Sequence, residues 1–136
     1  MKDTYFDRTL ALPNAGSNNF TASWDINPSP GPGQTATFSN QWRLPRIFVN
    51  IPALATHTNA SANITLRLQD SADGSNFADT APIVEAVIPG IAVTGSAKQS
   101  PLFSFPPEGR RYFRFSQTAD ANAGGAGSNV LYELDL

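Results

Sequence analysis

The residues able to do chemistry are few. His57 is the sole histidine of 136 residues, and there is no cysteine. A thiolate nucleophile, a disulfide and a thiolate zinc site are therefore excluded. His57 lies in Ala55-Thr56-His57-Thr58-Asn59, which reads as a loop, with no triad partner or metal co-ligand placed nearby. Asp70, Asp73, Asn76 and Asp79 surround Gly74. The spacing is not that of an EF-hand, so a hairpin loop is the first reading and a calcium site an open alternative. A pair of carboxylates for glycoside hydrolysis would be spatial rather than sequential, but only three glutamates and eight aspartates exist, most of them in turn-like contexts. Gly124-Gly125-Ala126-Gly127 has the composition of a phosphate-cradling loop, yet no helix follows to supply a dipole. No nucleophile-elbow, P-loop or dinucleotide motif occurs. These observations predict no catalytic residue, no metal and no cofactor, and hence a binding protein and not an enzyme.

Residues suited to surface contacts are more evident. Trp24, Trp42, Tyr5, Tyr112 and Tyr132 could form a sugar platform. Trp24, however, is in register with Phe20 and Ile26 and is expected in the core, whereas Trp42 has no clear register. Arg110, Arg111 and Arg114 flank Tyr112 and Phe113. Their planar guanidinium groups suit carboxylates on a neighbouring protein. Nucleic acid is not an expected partner: the net charge is −2, charged residues make up 15% of the chain, and Lys2 and Lys98 are the only lysines.

The elements that must position these residues are strands. Eleven prolines and ten glycines punctuate the whole chain, and no window shows helical periodicity. Two-residue alternation appears instead. Phe20, Ala22, Trp24 and Ile26 alternate with polar residues, and Ile47, Val49 and Ile51 share one face of a strand. Ile64, Leu66 and Leu68 give the clearest strand. Residues 82–88 read as a strand apolar on both faces, 91–96 as a short edge piece, and 102–105 as a short strand. Phe113 and Phe115 alternate with Tyr112 and Arg114, and Val130, Tyr132, Leu134 and Leu136 close the chain. Residues 111–116 and 130–136 are expected to pair. Asp73-Gly74 supplies a turn, Phe77 is expected to plug the core, and Pro106-Pro107-Glu108-Gly109 is a turn that could hold a cis proline. Asn27-Pro28-Ser29-Pro30-Gly31-Pro32-Gly33 is a stiff loop.

The expected fold is thus all-β, an antiparallel β-sandwich or jelly roll with an extended N-terminal arm. Residues 1–136 would form one domain, with residues 1–12 as the arm. A chain of this length can bury roughly 70% of its unfolded surface, enough for a core without staples. No signal peptide or apolar run of spanning length is visible, so a membrane is not expected and synthesis in the cytosol is. Three Asn-x-Ser/Thr sequons, at Asn19, Asn59 and Asn63, fit chance in so Asn/Ser/Thr-rich a chain.

Three segments carry a resemblance in their order along the chain. They are Tyr5-Phe6-Asp7-Arg8-Thr9-Leu10, then Ile64 to Ser71 with Asp73-Gly74 and Phe77, then Phe103 to Phe115 with its Pro-Pro turn and basic pair. The chain resembles the small jelly-roll cement (decoration) proteins of short-tailed bacteriophage capsids. The Pro28–Gly33 loop departs from that pattern. The resemblance implies a protein made in the host cytoplasm and carried on the capsid exterior of the virion. It would be a homo-oligomer, a dimer in preference to a trimer, bound to the major capsid protein. Expected interface residues are Asp3, Tyr5, Phe6 and Arg8 of the arm, Pro28, Pro30 and Pro32 of the loop, Trp42, and Arg110, Arg111 and Arg114. The alternative is a carbohydrate-binding module or a phage fibre or receptor-binding fragment, recognising glycans through Trp42 and nearby tyrosines. A small glycosidase-like enzyme is a third reading.

Overall fold

Strict alternation over residues 63–69 shapes the longest strand, β5 (Asn63–Ser71), with Ile64, Leu66 and Leu68 buried and Thr65, Arg67 and Gln69 facing outward. The same rule shapes the remaining strands of the computed structural model, which describes residues 7–25, 46–104 and 111–135. They are β1 (Arg8–Ala11), β2 (Asn18–Phe20), β3 (Trp24–Asp25), β4 (Arg46–Asn50), β6 (Ala78–Asp79), β7 (Glu85–Pro89), β8 (Leu102–Ser104), β9 (Tyr112–Ala119) and β10 (Asn129–Asp135).

Two antiparallel sheets form. The first has the order β1-β10-β4-β8. The second runs β2-β9-β5-β6, with β3 continuing β2 along β9 and β7 continuing β6 along β5. Counting β2/β3 and β6/β7 as one interrupted strand each leaves eight, four per sheet, in the order of a jelly roll. The expected pairing of residues 111–116 with 130–136 is overturned: β9 and β10 lie in opposite sheets, β9 between β2/β3 and β5, β10 between β1 and β4. Proximity in sequence favoured a hairpin, but jelly-roll connections cross from sheet to sheet. Residues 8–11, expected within the arm, are an edge strand of the first sheet, and Leu12 is buried behind them.

The core lies between the sheets. Trp24 meets Phe115 edge-on at 6.3 Å and Tyr132 at 6.4 Å, and Phe115 stacks on Tyr132 at 4.8 Å. Each such buried side chain contributes roughly 1.5–3 kcal/mol. A polar side chain, Gln117, is fully buried beside this aromatic cluster. Gln117 accepts the Tyr132 hydroxyl at 2.7 Å and donates to the Ala11 carbonyl and Asn19 Oδ1. Asn19 also donates to Ala11 at 2.8 Å, so the network ties both sheets together with its groups partnered. Burial drives the Tyr132 phenol well above its ordinary range.

Phe20 and Trp24 do not share a face, contrary to the simple alternation. Phe20 is opposite Ser116, but Trp24 is opposite Phe113, so four steps on one strand match three on the other. The extra residue within 21–23 is a β-bulge. Thr21 turns inward there, its N–H donating to the Phe115 carbonyl and its Oγ1 accepting the Phe115 N–H. Phe20 is left outside, 41% exposed, while Trp24 is fully buried. Phe77 does not plug the core either. It is half-buried on the outer face, under the Arg114 guanidinium. The strand expected at 82–88 begins only at Glu85, with Ile83 exposed, and 91–96 is a turn and not an edge strand. The Pro106–Gly109 turn lies outside the described residues, and a cis peptide occurs at Ala81–Pro82.

His57 is in a loop as expected, but it is completely buried. Its Nε2–H donates to the Ile88 carbonyl at 2.8 Å, since a carbonyl can only accept, which fixes the tautomer. The ring pins the 51–62 connection to β7 and is closed to any substrate.

Candidate functional site

Two regions concern function: the outer face of the second sheet, and the end of the sandwich where the predicted contact segments attach.

Strand register lays out the outer face in three cross-strand rows. The first is Asn18, Thr118, Thr65 and Val87; the second is Phe20, Ser116, Arg67 and Glu85; the third is Arg114, Gln69 and Asp79. Thr65, Ser116 and Thr118 are short and central, and taller side chains stand on either side. The result is a groove of about 340 Å³, lined by Phe20 and by the polar residues of these rows other than Arg114 and Glu85. One wall is a stack. The Arg114 guanidinium lies 3.9 Å from the Phe20 ring centre and 4.2 Å from that of Phe77, and its Nε donates to Gln69 at 2.9 Å. Partial burial holds the Arg114 pKa below that of a free guanidinium. The opposite wall is ionic. Arg67 bonds Glu85 at 2.9 Å and Asp79 at 3.0 Å, and Gln69 donates to the other Asp79 oxygen. These two carboxylates favour the charged form of Arg67.

The acidic cluster noted in the sequence is divided between two tasks. Asp73 organises the β5–β6 turn: its carboxylate accepts N–H groups of Ser75 and Asn76, the Asn76 amide and the Ser71 hydroxyl. These bonds hold its pKa well below the usual carboxylate range. Gly74 takes φ +79° above the Tyr112 ring, as Asp73-Gly74 predicted. Asp79 belongs to the groove wall instead. Among the described residues no group of three His, Cys, Asp or Glu side chains is placed to hold a metal.

The second region is one end of the sandwich. β3 ends there at Asp25 opposite Tyr112, and β4 begins at Arg46 opposite Ser104 and Asp135. Asp25, Arg46, Ser104 and Arg111 thus bracket segments 26–45 and 105–110. Arg111 grips Asp25 with two parallel bonds of 2.7 and 2.6 Å, both side chains about one-third exposed. Arg8, at the start of β1, donates to the Ser23 carbonyl and sits 5.5 Å over Trp24.

Of the predicted interface residues, Arg8, Arg111 and Arg114 are described. They do not form one cationic patch. Arg8 and Arg111 belong to the sandwich end, whereas Arg114 belongs to the groove wall. Asp3, Tyr5, Phe6, Pro28, Pro30, Pro32, Trp42 and Arg110 lie outside the described residues. Sequence reading missed the groove because its rows draw on separate strands. The one available signal was outward alternation of Thr65, Arg67 and Gln69 with Arg114, Ser116 and Thr118.

No family model and no curated protein sequence matches the chain. Among solved structures, the chain is similar to a "Family 16 Carbohydrate Binding Module-2", at 9% identity and a TM-score of 0.37, covering 99% of this chain and 86% of that one.

Proposed function

We propose that this protein is a bacteriophage capsid cement protein, a homo-oligomer that binds the outer surface of the major capsid protein shell and stabilises the head. The supporting observation is the convergence of Arg8, Asp25, Arg46, Ser104 and Arg111 on one end of a jelly roll. The arm, the Pro28–Gly33 loop with Trp42, and the Pro106–Arg110 turn all attach to that end. These are the segments that the resemblance to cement proteins marks for contact.

The mechanism is mechanical. Packed DNA pushes a head outward, and a clamp bridging adjacent capsomers raises the free energy needed to part them. Many copies on one shell act together, because each contact raises the effective concentration of the next. A β-sandwich suits the task because its sheets fix the spacing between contacts.

The test is co-sedimentation of the purified protein with cognate capsid shells, together with the disruption temperature of shells with and without it. Saturable binding and a higher disruption temperature are expected. A protein that stays in the supernatant at all ratios would refute the proposal. Deletion of residues 1–7, which leaves β1 intact, should weaken binding without unfolding the domain.

A further inference from the structure

Beyond a role in capsids, we propose that the groove on the outer face of the second sheet binds an uncharged carbohydrate. The floor is the first observation. Asn18, Thr118 and Thr65 stand side by side across β2, β9 and β5, and their side chains make no hydrogen bond among the described residues. They offer hydroxyl and amide groups, each able to donate and accept, which is the pattern that vicinal sugar hydroxyls match. Such groups would replace water around a sugar without leaving either side unpaired.

The aromatic wall is the second. Phe20 lines the groove, while Arg114 covers the ring without lining it. The guanidinium therefore backs the ring and leaves the groove side open. A held ring face presents apolar surface to the C–H groups of a pyranose at little cost in side-chain entropy. The bulge at residues 21–23 is what puts Phe20 here and not in the core.

Charge decides between ligand classes. The lining holds one cation, Arg67, and one carboxylate, Asp79, and Arg67 is already bonded to Asp79 and, outside the lining, to Glu85. An anionic ligand would meet the Asp79 carboxylate in the lining, while the Arg67 Nε and Nη1 are already given to acids. A neutral polyol pays no such cost and can bond the remaining edges of the ion-pair network. A groove of about 340 Å³ falls in the range of small-molecule sites and holds one or two sugar rings.

The experiment is amide-resolved NMR titration of the intact protein. Neutral probes are maltotriose, cellotriose, mannotriose and chitotriose; anionic controls are sialyllactose and trigalacturonic acid. The expected result is a saturable shift of the Thr65, Ser116 and Thr118 amides by at least one neutral probe, with low-millimolar affinity. Phe20→Ala should weaken that binding by about tenfold or more, and Thr118→Trp, which fills the floor from an exposed position, should abolish it. The proposal is overturned if no neutral probe moves these amides, if the controls bind tighter, or if both folded variants bind like the parent. Capsid co-sedimentation of Thr118→Trp should be unchanged, so this site and the capsid contacts are tested separately.

Discussion

At the end of the sandwich formed by residues 12–17, 51–62, 89–101 and 120–128, main chain packs directly on main chain. A Cβ on Gly90 would collide with the Asn59 carbonyl, one on Gly95 with that of Leu54, and one on Gly124 with that of Thr56. Backbone bonds cross between these loops: Ile91 N–H to His57, Ser96 N–H to Leu54, Leu12 N–H to Ser128 and Gly16 N–H to Ala119. At the opposite end side chains do the holding, through the Arg111–Asp25 pair and the Arg8 contact with Ser23. Main-chain packing constrains loop length and shape as well as residue type. Side-chain clamps leave the loops beyond them free to change in sequence and length while the sheets stay as they are. The contrast explains how one end can serve as foundation while the other is free to vary.

Gly90→Ala is the strongest way to break that contrast. The colliding atom is backbone and cannot swing aside, so a loss of about 3 kcal/mol or more is expected by urea denaturation; a neutral result would show that the foundation yields. Tyr132→Phe tests the polar tie between the sheets. It leaves Gln117 Oε1 buried without its donor and should cost about 1–3 kcal/mol.

Val93 sharpens the comparison from the other direction. It centres a tight turn closed by Thr94 N–H to the Ala92 carbonyl, at φ 73°, and is 93% exposed. A β-branched residue is strained there and buries nothing in return. Val93→Asn should therefore stabilise the domain by about 0.5–1 kcal/mol, read as a higher unfolding midpoint. At the side-chain end, Arg111→Met should move the unfolding midpoint less than Gly90→Ala, because an ion pair one-third open to water is screened and its loss leaves Asp25 hydrated. A loss as large as that of Gly90→Ala would erase the difference between the ends.

The smallest expected effect is set by pH. The folded Asp73 carboxylate has a depressed pKa, so its stabilisation is fully present above the unfolded value of about 3.9 and is lost as pH falls towards the folded one. Hydrogen exchange at Ser75 and Asn76, corrected for its intrinsic pH dependence, should lose protection on acidification below about pH 4. Asp73→Ala should show that lower protection already at neutral pH.

Much of this architecture was legible before any coordinates. Ile64/Leu66/Leu68, Ile47/Val49/Ile51, Phe113/Phe115 and Val130/Tyr132/Leu134 all point inward as their alternation requires. Alternation is local and gives each strand its faces. It carries no information on partners, which is why β9 and β10 were wrongly joined and why the groove went unseen. Phe20 misled because a bulge leaves no compositional mark. His57 misled because its burial depends on glycine-mediated loop contacts distant in sequence. Ala55-Thr56-His57-Thr58-Asn59 itself looks like any exposed connection.

The extra residue between Phe20 and Trp24 has a reach beyond its own strand. It acts as a phase change, swapping inside for outside partway along a continuous edge. Flattening the bulge without shortening the chain would force a choice, either Phe20 indoors and the outer-face groove stripped of its ring, or Trp24 evicted and the aromatic centre hollow. A break in pairing at this point, more than residue type, decides which surface the molecule shows to the world.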